Sequence, residues 1–190
     1  MLKKVKTYFR EYRPFFLFLF KFFAVYAILT IIYKLYLKQF ENLLIFKIDG
    51  FTQMVAHQVH QFLMLLDYQS SLTIHSSQPA IKLYLQHVYV ARVVEGCNAL
   101  SVIILFAAFI VAFAGKLKPT ILYILCGSLL IHFLNVIRIA LLSIALLHYP
   151  EQGSLLHGVV FPLFIYGVVF GLWVIWVNKF SNHAAKTSEQ

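Results

Sequence analysis

Three residues in the second half of the chain carry side chains that could do covalent chemistry together. Cys97 stands in Glu95-Gly96-Cys97-Asn98-Ala99-Leu100-Ser101, directly before an apolar run. Arg138 stands in Asn135-Val136-Ile137-Arg138-Ile139-Ala140-Leu141, deep inside a second run. His157 stands in Leu156-His157-Gly158 at the head of a third, with Pro162 shortly after it. A thiol, an imidazole and a permanent cation can serve as nucleophile, general acid/base and stabiliser of a developing anion. Each has a plainer reading when taken alone. A lone cysteine is usually a small buried hydrophobe, and a proline in a membrane helix is usually a kink. Arg138 is different, because an arginine at such depth costs about 2.5–3.5 kcal/mol on insertion scales. It should face the protein and have a task there.

Whether these residues meet depends on the elements that carry them. Apolar residues make up 61% of the 190 positions and charged residues 12%, with mean hydropathy +0.80. A soluble domain is nearer half apolar and a quarter charged. A chain of this size cannot hide so much apolar surface from water, so an all-α integral membrane protein is expected. A soluble enzyme, a disordered tail and a zinc ribbon are excluded, and two cysteines are too few for a disulfide scaffold. The net charge of +9 resembles a nucleic-acid signal. Its distribution along the chain argues for membrane lipid as the partner and against nucleic acid.

One membrane domain over 1–190 is expected. A basic tail, 1–14, precedes a Phe-rich anchor helix, 15–37, with Lys21 and Lys34 placed to snorkel. The anchor is too long for a signal-peptide core, and no small-residue cleavage site follows it, so it reads as uncleaved. Three further runs form a core over 97–177: Cys97–Ala114 of 18 residues, Thr120–Leu147 of 28, and Leu155–Val177. At helical rise the first two reach roughly 27 and 42 Å. Their short links make them sequential antiparallel neighbours. A tail, 178–190, ends the chain.

Four spans with both termini inside follow from the basic residues. Lys3, Lys4, Lys6, Arg10, Arg13, Lys116, Lys118, Lys179 and Lys186 fall on one side, nine in short segments. Lys38, Lys47, Lys82 and Arg92 fall on the other, with acidic residues among them. Segment 38–96 is then extracytoplasmic. Phe51, Met54, Val55, Val59, Phe62 and Leu66 recur at helical spacing with Gln53, His57, His60 and Gln61 opposite. That pattern predicts an amphipathic interfacial helix, with a fifth span as the alternative. Alternating apolar residues from Ile81 to Val90 read as a strand or short hairpin after the Ser76–Pro79 turn.

The same topology draws Cys97, Arg138 and His157 into the outer half of the membrane. Arg138 lies nine residues before Leu147, roughly 13 Å deep by helix rise. Asn135, His132 and Ser128 extend a polar stripe from it. For His132 and Ser128 the stripe reads as hydrogen-bonding glue between helices. If Cys97 opens its helix, unpaired N–H groups and the positive dipole end favour its thiolate. Glu95 opposes this unless it is paired elsewhere, Arg92 being the near cation in sequence. Cys126 falls toward the inner side, too far for a Cys97–Cys126 pair. His57 and His60 lack a third ligand at matching spacing, so no metal and no other cofactor is expected.

The order Cys97…Arg138…His157, within the motifs quoted above, resembles the exosortase/archaeosortase family over about residues 90–177. The short chain with one anchor looks like the compact exosortase F-like, Bacteroidetes-type form. Larger members have about eight spans, and many carry Gly where this chain has Ala99. The resemblance implies a membrane cysteine transpeptidase that cleaves C-terminal sorting signals of exported proteins at the outer face of the cytoplasmic (inner) membrane. It implies Cys97 as nucleophile, His157 as acid/base and Arg138 as anion holder, supported by Asn135 and Asn98. Ordinary sortases use the same residue types on an unrelated fold. Two rivals stand beside it: a non-enzymatic assembly or transport factor whose Arg138 and Asn135 are glue, and a thiol oxidoreductase, for which a second outer thiol is missing.

The charge count makes a direct prediction. With native cysteines replaced by serine, His75→Cys and Gln152→Cys should react with an impermeant maleimide in intact cells, and Leu117→Cys should not. Labelling at position 117 would put Cys97 in the wrong compartment.

Overall fold

The computed structural model describes residues 12–40, 47–113 and 115–180. Most of the basic stretch 1–14 and residues 181–190 of the C-terminal tail lie outside the described residues. Helix α1, Arg13–Lys38, starts with Pro14 in its first turn, where a missing N–H leaves no bond unmade. Its Phe18 ring meets Phe109 and Phe113, with centroids 5.8 and 4.5 Å away. The anchor is therefore packed on the core.

Helix α2, Gly50–Leu65, is capped by Asp49, whose carboxylate accepts from the Thr52 N–H at 2.9 Å. It buries Thr52, Val55, Ala56, Val59 and Leu63, one stripe at helical spacing. Met54 and Leu66, expected on the apolar face, are 40% and 41% exposed. The stripe is rotated because α2 has protein partners. Val55, Val59 and Leu63 share a core with Leu83 and Leu85 below and with Val136, Ile139 and Ala140. At 16 residues, roughly 24 Å, α2 is not among the helices long and apolar enough to cross a membrane.

Strands β1 (Ser70–Ile74), β2 (Ile81–Leu85) and β3 (Val88–Val93) form an antiparallel sheet in the order β1-β2-β3. Ser70 lies opposite Leu85, and Ile81 opposite Val93. Ile81, Leu83 and Leu85 are buried while Lys82 and Tyr84 are not, the period-two pattern of a half-buried strand. Gln86 and His87 turn the β2–β3 corner at φ 49° and 66°, the two positive values a two-residue hairpin needs. The chain is thus mostly helical, with the expected strand or hairpin extended to three strands, and β1 had no signal in the sequence reading.

Helix α3, Leu100–Ala112, has 13 residues, roughly 20 Å, against the 18 expected for Cys97–Ala114. Most of the difference lies at its start. The chain leaves β3 through a tight 3-10 turn, Glu95–Cys97, and Ala99 adopts φ 62°, which no helix can include. Helix α4, Leu117–His148, runs 32 residues. After a short turn the chain winds on into α5, Phe161–Lys179, through a wide turn at Leu156–Val160. Pro162 has no N–H for the Gly158 carbonyl. The turn loosens instead, and the Phe161 N–H reaches back five residues to the Leu156 carbonyl.

Among the described residues three helices are long and apolar enough to cross a membrane: Arg13–Lys38, Leu117–His148 and Pro150–Lys179. Helix α3 is apolar but shorter. Large apolar side chains such as Phe20, Leu117 and Leu163 stand 70% or more exposed, as lipid-facing groups do. Inside, Phe106, Ile131, Val169 and Trp176 form a second core between α3, α4 and α5. Gly127 of α4 is pressed against the Phe106 ring, and a Cβ there would overlap it. Gly127→Ala should therefore cost about 1–3 kcal/mol by overpacking. Thermal unfolding in detergent measures it; an unchanged midpoint would mean that the ring swings aside freely.

Candidate functional site

The turn that carries Cys97 is held from two sides. Asn98 is 2% exposed and spends its side chain fully. Its Nδ2 donates to Tyr33 Oη of α1 and to Thr52 Oγ1 of α2, both at 3.1 Å. Its Oδ1 accepts the Leu100 N–H at 2.9 Å, capping α3. Tyr33 in turn donates to Glu95 Oε1 at 2.6 Å. Glu95 is thus bonded to a phenol and not to Arg92, which donates to Gln78 Oε1. On the other side Asn135 of α4, wholly buried, donates from Nδ2 to the Cys97 carbonyl at 2.8 Å. Removing one member of such a network leaves buried partners unsatisfied, at about 1–3 kcal/mol each.

Cys97 does not open a helix, as the sequence reading had it. It closes the 3-10 turn, with Asn98 and the left-handed Ala99 between it and α3. The Leu100 N–H that would greet a thiolate is taken by Asn98, so the dipole argument for an activated thiol loses its geometry. The thiol is half-buried, and what faces it across space is Arg138.

Cys97, Arg138 and His157 line one cavity of about 340 Å³. Ile139 and Leu142 of α4 supply apolar wall, and residues 91–94 of β3 and its continuation close another side. Arg138 is half-buried. One of its Nη1 hydrogens points to Asn135 Oδ1 at a long 3.4 Å, and its buried Nε has no hydrogen-bond partner. Cys97 and Tyr166 lie near enough to feel its charge. Most of its donor fork is therefore unspent, beside a thiol, in a recess with apolar walls. His157 is exposed on the wide turn created by Pro162, so its ring is open to proton exchange.

Of the rest of the polar stripe, His132 makes a contact between helices. His132 Nε2 and Gln58 Oε1 share a hydrogen bond at 2.7 Å, tying α4 to α2. His60 Nδ1 bonds to Ser70 Oγ, joining α2 to β1. Cys126 is exposed and twelve residues from Arg138 along α4, roughly 18 Å by helix rise. Tyr33, Thr52 and Tyr166 were missed by the sequence reading. A hydroxyl late in an apolar anchor and the Asp49-Gly-Phe-Thr52 capping pattern were the available signals for the first two; Tyr166 had none.

A left-handed alanine beside the thiol costs about 1–2 kcal/mol that glycine would not. Ala99→Gly should recover about 1 kcal/mol and raise the unfolding midpoint in detergent while Cys97 keeps its reactivity toward iodoacetamide. A lower midpoint would mean that the Ala99 methyl, buried at 7% exposure, contributes more by packing than it loses by strain.

Compared with known proteins, the chain matches no family model, no curated protein and no solved structure, and its own residues carry the functional reading.

Proposed function

We propose that the protein is a membrane-embedded cysteine transpeptidase, similar to the exosortase/archaeosortase family, acting on C-terminal sorting signals of exported proteins. The observation that carries this reading is the single cavity shared by Cys97, Arg138 and His157. His157 takes the thiol proton, and Cys97 Sγ attacks the scissile carbonyl carbon. A C–S bond forms while the carbonyl electrons move onto oxygen, where the unspent donors of Arg138 hold the charge. The oxyanion collapses, the C–N bond breaks, and His157 returns the proton to the leaving amine. A thioester remains. An acceptor nucleophile then gives its proton to His157 and attacks the thioester, and the thiolate leaves. One acyl bond is exchanged for another with no redox change.

The membrane arrangement in this reading has four spans, α1, α3, α4 and α5, with both termini in the cytoplasm. Two considerations support it. The segments this arrangement puts in the cytoplasm hold nine basic residues, against four in those it puts outside. An open sheet has unpaired edges that cannot sit in hydrocarbon, so the sheet and the adjoining Cys97 turn belong at the membrane surface. Helix α3 is short because the turn takes over its outer end, and α1 covers its flank. The cavity then opens at the extracytoplasmic face of the cytoplasmic membrane.

One observation favours the assembly-factor alternative: Asn135 ties α4 to the Cys97 carbonyl, as structural glue would. A single assay separates the two readings. A co-expressed reporter ends in a short motif, an apolar helix and a basic tail, and its processing is followed by gel shift. Cys97→Ser should insert normally and leave the reporter uncleaved, while Cys126→Ser should be silent. Arg138→Lys should lose roughly 10²-fold in turnover, because an ammonium cannot reproduce the planar fork. Processing that persists in Cys97→Ala would leave the assembly reading in place.

A further inference from the structure

The outer edge of β3 adjoins the cavity in a particular way. Neighbouring side chains of a strand point to opposite faces. A cavity against one face would therefore touch alternate residues. Here Ala91, Arg92, Val93 and Val94 all line it, consecutively, together with Cys97. Lining by consecutive residues, the last of them just past the strand end, is what a cavity reaching the edge of β3 gives. A second recess, also about 340 Å³, is lined by Gln78, Pro79, Arg92, Val94, Glu95 and Gly96, at the end of the β2–β3 pair. It shares Arg92 and Val94 with the first, so the two recesses meet where β3 passes into the Cys97 turn.

That edge is unpaired. The sheet order β1-β2-β3 leaves β3 with β2 as its sole strand partner. Among the described residues no backbone hydrogen bond joins Val88–Val93 to anything beyond β2. An antiparallel strand points the N–H and C=O of every second residue away from its partner. A register shift leaves Val90 without a partner in β2; past it, the outward N–H and C=O groups of the end of β3 adjoin the cavity that Cys97 lines. The group that matches such donors and acceptors is another extended backbone.

We infer that the substrate polypeptide binds as a fourth strand on the free edge of β3, so that main-chain pairing delivers its scissile carbonyl to Cys97. This rests on the cysteine chemistry proposed above and adds to it the conformation and mode of recognition of the substrate. Recognition through main-chain atoms leaves side-chain selection to the apolar wall formed by Ile139 and Leu142 and to Arg92 at the junction of the two recesses.

The test needs no natural substrate. The full chain carrying Cys126→Ser is held in detergent, so that Cys97 is its one thiol. The probe is acetyl-tetraalanyl chloromethyl ketone, and chloroacetone is the reference with the same reactive group and no peptide. In both, the Cys97 thiolate displaces chloride: a C–S bond forms and a C–Cl bond breaks. The peptide should label about tenfold faster than the reference, the gain expected of one or two net hydrogen bonds. Four analogues, each N-methylated at one amide, then report the pairing. Methylation at alternate amides should return the rate to that of chloroacetone, and methylation at the intervening ones should leave it high. Equal rates for all four analogues, or no gain over chloroacetone, would overturn strand addition and leave the cysteine chemistry intact. Failure of chloroacetone to label Cys97 at all would overturn both.

Discussion

The buried amide of Asn98 is the interaction on which the rest of the molecule depends. Its two donor contacts reach α1 at Tyr33 and α2 at Thr52, and its acceptor starts α3. Three elements that lie far apart in sequence are thereby fixed to one side chain. An amide in an apolar interior is worth keeping only when its polar atoms are matched, and here they are. The consequence is positional: Cys97, the preceding residue, has little freedom to move. Asn135 completes the clasp by holding the Cys97 carbonyl from α4. Thiol and guanidinium are then placed by one shared residue, since the same Asn135 receives the Arg138 contact.

A second constraint is the mismatch between a short helix and a small sheet. Helix α3 cannot begin until Ala99 has turned the chain through a left-handed conformation. The residues before it are consequently free to form the tight turn that presents Cys97. The sheet and α2 fill the space above α4, with Val55, Leu83 and Ile139 in one core. In the proposed membrane arrangement this cap shields the cavity from bulk water on one side while β3 leaves it open along an edge. Pro162 acts from the opposite wall. By forcing a wide turn it sets His157 on a loosened stretch of helix, where its ring is exposed.

The two constraints together explain how three chemically weak signals come to line one cavity. A cysteine before a helix, an arginine in a span and a histidine near a proline each have common structural uses. The fold removes some of those uses. Arg138 keeps an unpartnered buried Nε, which is costly as glue and suited to receiving an anion. Glu95 is bonded to Tyr33, so its nearest charge is engaged away from the thiol. What remains at the cavity is a sulfur, a cation with donors to spare and an exposed imidazole.

The sequence by itself determined the membrane class, the helical runs and which residues were candidates for chemistry. Those follow from local quantities: apolar content, hydropathy over some twenty residues, and the cost of an arginine in lipid. It also determined that α2 would be amphipathic, though not which face it would bury, because a stripe's rotation is set by partners and not by its own spacing. Only the tertiary structure decided the rest. Tyr33 and Thr52 are 65 and 46 residues from Asn98, and no local pattern announces such a pairing. The start of α3 at Leu100 depends on the backbone angle of Ala99, a residue whose type gives no warning of φ 62°. The free edge of β3 beside the thiol exists only once three strands have chosen their order. Long-range contacts made these choices, since each is a compromise among elements that meet only after the chain has folded.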